Sequence, residues 1–200
     1  MHLRSPALVI SARAHGETAV VARLLTQEHG VVAGYVAGGR GRQLRPVVIP
    51  GNLVELQLSA RSESQLPFAK LELVESRGPW LGEPLPAAAI GWVCALTATA
   101  LPERHPYPSL WQALGALLTA VCHAPSARGW TRALVGYETL LLREMGYGGT
   151  APDPADDLVA SLAAMDKLAG PLDHYLLADR RGDVMAARAR LLELLGRMVA

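Results

Sequence analysis

Cysteine is almost missing from this chain: its 200 residues contain two, Cys94 and Cys122. They stand far apart and no C-x-x-C pair occurs. That excludes a four-cysteine zinc site and a disulfide framework, and it suits a reducing cytoplasm. Aromatic residues make up 5% of the chain and phenylalanine occurs once, as Phe68, so a surface built on ring stacking starts with little material. Net charge is also small, +1 from 19 basic and 18 acidic side chains, and by itself gives no reason to expect a polyanion. The opening Met-His-Leu-Arg-Ser-Pro has no long apolar stretch after its basic residue, so a secretory leader is not expected.

Catalytic signatures are missing as well. There is no G-x-S-x-G elbow, no H-E-x-x-H helix and no P-loop. The six histidines are scattered, and His105 and His123 read as helix-end residues rather than ligands. Both cysteines lie in apolar helical stretches, where buried inert thiols are the rule. Gly146–Ala151 formally matches G-x-G-x-x-A, but it follows a helix instead of a strand and runs into Pro152 and Pro154. It is not a dinucleotide site. No enzyme, cofactor or metal is expected.

Two stretches nearly free of charge need weighing, Pro84–Pro102 and Pro106–Ala127, each long enough to cross a bilayer if wholly helical. The first is Ala/Thr-rich and bracketed by proline; the second holds Ser109, Gln112 and Thr119. Buried helices of a soluble domain fit them better than membrane spans.

What is present is half apolar and unevenly charged. Residues 1–79 carry nine basic and six acidic side chains, residues 80–200 ten and twelve. The first region reads as β structure: Ala7–Ala14, Thr18–Thr26, Val31–Gly39, Asn52–Ala60 and Phe68–Ser76 are short strand-like runs with turn residues between them. In Asn52–Ala60, Val54, Leu56 and Leu58 alternate against Leu53, Glu55 and Gln57; in Phe68–Ser76, Ala69, Leu71 and Leu73 alternate against Lys70 and Glu72. Gly34 is expected to mark a bulge or sharp bend. Five short strands at this spacing point to a small barrel or a sandwich. After the proline-rich crossing Gly78–Pro86 the period becomes helical, with apolar residues recurring at i, i+3 and i+4 around Leu114, Leu141, Asp157–Leu168 and Asp183–Ala200. The organisation is a β domain over 1–79 followed by an all-α domain over 80–200.

The charge asymmetry has one focus. Between Glu28 and Glu55 no acidic residue occurs, and Arg40, Arg42 and Arg45 follow the third strand. On a loop of a small barrel, three uncompensated guanidinium groups suit the phosphates of nucleic acid, with Arg13 and Arg23 at the ends of the first two strands extending the patch. Tyr35 and Phe68 each supply one ring to separate strands, so stacking looks thin and phosphate contacts dominate. The competing reading is an ordinary solvated loop on a protein–protein adaptor whose barrel touches no DNA; a membrane-associated protein is a further alternative.

Order and motif together then carry a resemblance. "ARAHGETAVVARLLTQEHGVVAGYVAGGRGR", Ala12–Arg42, resembles the N-terminal signature of the bacterial recombination mediators of the RecO family. The matching features are Gly16-Glu17 at the first turn, Leu25-Thr26 followed by Gly30 at the second, and the Gly-basic loop Gly38-Gly39-Arg40-Gly41-Arg42. "YETLLLREMGYG", Tyr137–Gly148, looks like the family's helix in its second domain. The resemblance implies an α+β protein: a five-stranded OB-fold β-barrel, then an all-α helical domain, here without the zinc motif many members carry. It implies a non-enzymatic, cytoplasmic, nucleoid-associated protein of DNA repair that binds single- and double-stranded DNA and anneals complementary strands. With RecR, such proteins help place RecA on DNA coated by single-strand-binding protein, whose acidic C-terminal tail they dock on the helical domain.

Two further departures qualify this. Gln43-Leu44-Arg45-Pro46 stands where the family usually has more lysines and a serine, and Gly149 leads quickly into Asp153–Asp157, shortening the helical domain. Candidates for tail docking are Arg132 and Arg143 on the Tyr137 helix, and Arg188 and Arg190 on the last helix.

Overall fold

The computed structural model describes residues 2–60, 62, 65–148, 154, 157–178 and 184–199. Parts of three sequence features lie outside these residues: Gly149, Thr150 and Ala151 of the glycine motif, Asp153, Ala155 and Asp156 of the acidic passage, and the predicted end residues of the last helix, Asp183 and Ala200. The chain divides into two compact units. One is Met1–Gly82 with Leu101–Trp111; the other is Glu83–Ala100 with Gln112–Ala200.

In the first unit the five runs form strands β1 (His2–His15), β2 (Ala19–Thr26), β3 (Gly30–Val36), β4 (Leu53–Ser59) and β5 (Phe68–Glu75). They close into a barrel in the order β1-β2-β3-β5-β4, the OB-type Greek key arrangement, and the sandwich alternative falls away. Closure depends on β1. Its 14 residues serve two neighbours, with His2–Leu8 pairing β4 and Ala7–His15 pairing β2. The register slips between Val9 and Ser11, a bulge that bends the strand around the barrel. Its first five residues alternate between exposed and half-buried, so their signal is weak, and the strand was expected to begin only at Ala7. On the other side β3 meets β5 in parallel at Tyr35 and Phe68, with Tyr35 N donating to Pro67 O at 2.8 Å.

The alternation in β4 comes through directly, with Val54, Leu56 and Leu58 buried alongside Val9, Leu24 and Val36. In β5 it fails at one point. Leu73 was expected to face inward with Ala69 and Leu71, yet it is 43% exposed and its neighbour Val74 is 59% exposed. Leu73 still pairs with Val54, and the β4–β5 register then skips Val74 before Glu75 meets Leu53, at the end of the strand.

Gly34 is not a bulge. It pairs Ala22 within a continuous β2–β3 register. Its role is close approach: a Cβ there would lie 2.6 Å from Cβ of Ala69 on the neighbouring strand β5. Gly30 is needed for a different reason. The Thr26 hydroxyl donates to Gly30 O at 3.0 Å and accepts from His29 N at 3.1 Å, closing the turn, while Gly30 takes φ +65°. A Cβ at that position would sit 2.0 Å from the carbonyl oxygen of His105, so the return segment Leu101–Trp111 can pack here only against glycine.

The second unit holds the helices α1 (Pro84–Ala100), α2 from Gln112 on (Pro108–His123), α3 (Thr131–Glu144), α4 (Leu158–Pro171) and α5 (Val184–Gly196). The two uncharged stretches are α1 and α2, and no helix among the described residues is long and apolar enough to cross a membrane. Ile90, Trp92, Val93, Cys94, Leu96 and Thr97 of α1 are all buried, as a helix without a polar face requires. Burial pushes the Cys94 thiol up to about 12 and raises the Tyr137 hydroxyl, which stays bonded to Thr97 at 2.5 Å. At α4 the Asp157 carboxylate caps the first turn, accepting from Val159 N and Ala160 N at 3.3 and 3.2 Å.

At the centre of this unit lies an ion pair. Arg188 of α5 clasps Glu138 of α3 with Nε to Oε1 at 3.0 Å and Nη2 to Oε2 at 2.8 Å. Trp92 Nε1 donates to the same carboxylate at 2.8 Å, and Arg188 also bonds Met165 O. The side chains are 2% and 0% exposed. Four helices are thus joined by groups that leave the buried carboxylate fully engaged, the condition under which such a pair is tolerated.

Candidate nucleic-acid interface

The basic loop is more ordered than its composition implies. Gly41 N bonds Gly38 O at 2.8 Å, Arg45 N bonds Gly41 O at 2.9 Å, and Val48 N bonds Leu44 O at 3.1 Å. The loop is therefore a run of tight turns after β3. Leu44 and Val47 pack on the barrel core and Val48 enters it. Buried Asn52 fastens the far end, donating to Pro46 O and Val47 O at 2.8 and 3.1 Å and accepting from Arg77 N at 2.7 Å. With the apolar side chains drawn inward, Arg40, Arg42 and Arg45 are left exposed. Arg42 and Arg45, three apart on a helical-type turn, share one side of it.

The three arginines are not equivalent. Arg40 ties the loop to the β1–β2 turn: its N bonds Thr18 O at 2.9 Å, and its Nη1 donates to Gly16 O and Glu17 O at 3.2 and 2.9 Å. Donors remain on its exposed guanidinium, but its geometry is set by that turn. Among the described residues, Arg42 and Arg45 make no ion pair, and neither does exposed Arg13. Arg23 is corrected. Its side chain, 30% exposed, turns to the return segment, with Nη2 3.5 Å from Leu101 O and 3.8 Å from Glu103. A carboxylate beside it removes it from a cationic track.

Tyr35, the one ring of β3, belongs to a cluster. The parallel β3–β5 contact sets Phe68 edge-on against it at 5.3 Å, and the β1–β2 turn brings His15 to its other side at 5.8 Å. His15 adjoins Gly16, whose carbonyl oxygen accepts from Arg40, so Arg40 and the rings meet at the β1–β2 turn. Phe68 is 62% exposed and borders a groove of about 880 Å³. Gln43 and Leu44 of the basic loop line the same groove, together with Arg4 and Lys70. Arg4 is held by Glu55 at 2.8 Å, which raises its already high pKa, and Lys70 lies 3.6 Å from Glu72. Separation in sequence hid this grouping, since Tyr35 and Phe68 are joined by strand order and not by spacing.

In the helical unit the docking candidates separate. Arg132, Arg143 and Arg190 are exposed. Arg132 and Arg128 border a shallow hollow at the start of α3, whose first turn has no acidic residue. Arg188 is corrected: it is the buried partner of Glu138 and offers nothing to a ligand. A signal for this was present. Arg188 lies in phase with Leu191 and Leu195, and Glu138 in phase with Leu134 and Leu141, so each charge occupies a core position of its helix. Among the described residues no three His, Cys, Asp or Glu side chains gather as a metal site.

Comparison with known proteins bears on both units. The family described as "Recombination protein O N terminal" matches residues 1–77, and "Recombination protein O C terminal" matches residues 84–150. Proteins named "DNA repair protein RecO" are similar over most of the chain. That of Rhodospirillum centenum is 44% identical over 149 residues, covering 74% of this chain and 58% of the relative. That of Phenylobacterium zucineum is 39% identical over 149 residues, covering 74% and 60%. That of Cereibacter sphaeroides is 35% identical over 148 residues, again covering 74% and 60%. The chain thus spans about three fifths of the length of these relatives.

Proposed function

Because this chain belongs to the RecO family, we propose that it is a DNA-binding recombination mediator that works in DNA repair by electrostatic capture and not by bond-making. The observation that carries this reading is the basic loop: three guanidinium groups stand exposed on ordered turns, none paired with a carboxylate among the described residues. Arg42 and Arg45 hold phosphates of single- or double-stranded DNA, with Arg40 and Arg13 beside them and Tyr35 among the flanking rings. Phosphates carry no base information, so sequence preference is small. Cations that neutralise two strands at once lower their mutual repulsion, and annealing of complementary strands follows without a catalytic group.

The relatives' names support the setting of DNA repair. The partners proposed here are RecR, the single-strand-binding protein and, through them, RecA, in the cytoplasm at the nucleoid. An acidic C-terminal tail of the single-strand-binding protein docks at Arg132, with Arg128 beside it; Arg143 and Arg190 are more distant candidates. Calorimetry with such a peptide tests this, and equal heats for Arg132→Ala and the parent would remove that residue.

The direct test of the whole reading is annealing of complementary oligonucleotides, bare and coated with the single-strand-binding protein. Acceleration of both is expected; acceleration of neither would overturn the proposal. A second reading, an adaptor that touches no DNA, is favoured by the apolar surface at Leu73 and Val74. Filter retention of an oligonucleotide at low salt separates the two.

A further inference from the structure

We infer that the groove beside Phe68 takes an unpaired nucleobase, so that the barrel holds single strands by a contact which base-paired DNA cannot make. This rests on the DNA-binding reading above and assigns to one part of that surface a task distinct from phosphate capture. Four observations carry it.

First, Phe68 is the most exposed large apolar side chain among the described residues, at 62%, although it begins a strand in a barrel whose other large apolar residues are mostly inside. Second, its orientation is fixed. Tyr35 packs edge-on against it at 5.3 Å, and the β3–β5 pairing holds the backbone beneath both, so one ring is buttressed while the other presents its surface. A ring already ordered loses little freedom on stacking with a base.

Third, the concave surface beside it suits a heteroaromatic ring with polar edges. Its volume, about 880 Å³, lies within the range of small-molecule clefts, and a second hollow shares Phe68, His2 and Ser59 with it. Ala37 and Leu44 give apolar contact, and Gln43 and Gln57 bring side-chain amides. Among the described residues neither amide makes a hydrogen bond, so both keep donors and acceptors for a base edge. Fourth, charge complementarity favours a nucleotide over an acidic or neutral ligand of other kinds. Among the described residues the groove lining includes His2, Arg4 and Lys70 and no carboxylate, although Arg4 and Lys70 each have a glutamate outside it. The groove continues into the basic loop through Gln43 and Leu44, next to Arg42 and Arg45, so a strand held by its phosphates on the loop can turn a base inward.

In duplex DNA the bases are stacked and paired, and reaching Phe68 would require extruding one. The loop arginines therefore serve both forms of DNA, and Phe68 serves the single strand. The test compares three ligands of equal length at one salt concentration: a single strand, an abasic strand of deoxyribose phosphates, and a duplex. The parent is expected to bind the base-bearing strand about five-fold or more tighter than the abasic one, the range of one stacked base. Phe68→Ala should bring those two affinities together while leaving duplex affinity unchanged, and Phe68→Trp should keep the preference. Because the side chain is largely exposed, the thermal unfolding midpoint of Phe68→Ala should match that of the parent. A Phe68→Ala variant that keeps the full preference for base-bearing strands would overturn the inference and leave the phosphate reading standing, as would a parent that binds base-bearing and abasic strands equally. A parent that binds none of the three would overturn both.

Discussion

The barrel unit and the helical unit use the same side chain in opposite ways. On the barrel, Arg42 and Arg45 project from a turn whose apolar residues are drawn into the core, and both are exposed. In the helical unit, Arg188 occupies a core position of α5, where Glu138 and Met165 O accept its hydrogen bonds and Trp92 Nε1 donates to the same carboxylate. An exposed arginine on the loop contributes little to stability and is available to a polyanion. A buried one is costly to remove by itself, because its partner is left unpaired, and is available to nothing. Arg40 and Arg23 are intermediate cases, the first exposed but tied to the β1–β2 turn, the second half-covered and beside Glu103.

That contrast can be broken or sharpened by experiment. The largest effect belongs to Arg188→Ala, which leaves a buried carboxylate without its partner. A loss of about 3–5 kcal/mol is expected in urea denaturation followed by circular dichroism. A combined Glu138→Gln, Arg188→Met variant should recover much of it, and a single variant as stable as the parent would mean that the pair is solvated after all.

Next comes Arg40→Ala, Arg42→Ala and Arg45→Ala together. Oligonucleotide affinity should fall, and the slope of log K against log salt should flatten by roughly 2, at about 0.7 per single-strand phosphate contact. An unchanged slope would take the loop out of the interface and erase the contrast.

Titration gives a third. The Cys94 thiol has an ordinary pKa of 9.0 and is pushed up to about 12 by burial, so the unfolded state releases a proton that the folded state keeps. Stability is therefore unaffected below pH 9 and falls as pH rises toward 12, by up to about 1.4 kcal/mol per pH unit for that group. Cys94→Ala should flatten the fall between pH 9 and 10, before Tyr137 adds its own contribution. The smallest effect is that of Arg40→Ala alone. Loss of two bonds to the β1–β2 turn should cost about 1 kcal/mol in barrel stability, whereas Arg42→Ala should cost none measurable by thermal denaturation.

Much of this architecture is legible in the residues. Alternation placed β4, helical phase placed α3 and α5, and the absence of acids from 29 to 54 marked the loop that carries the exposed arginines. Where reading failed, the cause is specific. The weak alternation of His2–Pro6 hid the first five of the 14 residues of β1. Leu73 is exposed at the end of β5, where the register slips at Val74. The apolar positions of α5 alone leave Arg188 on the surface; its phase with Leu191 and Leu195 places it in the core.

By itself the sequence determined the features that depend on neighbours along the chain: which stretches are strands or helices, where Gly30 allows a turn, and where positive charge gathers. Only the tertiary structure decided which charges stay in water and which rings meet. Glu138 and Arg188 lie 50 residues apart, and Tyr35 reaches Phe68 only because the barrel closes between β3 and β5. Solvation and pairing are properties of a place in space, and elements distant along the chain create that place.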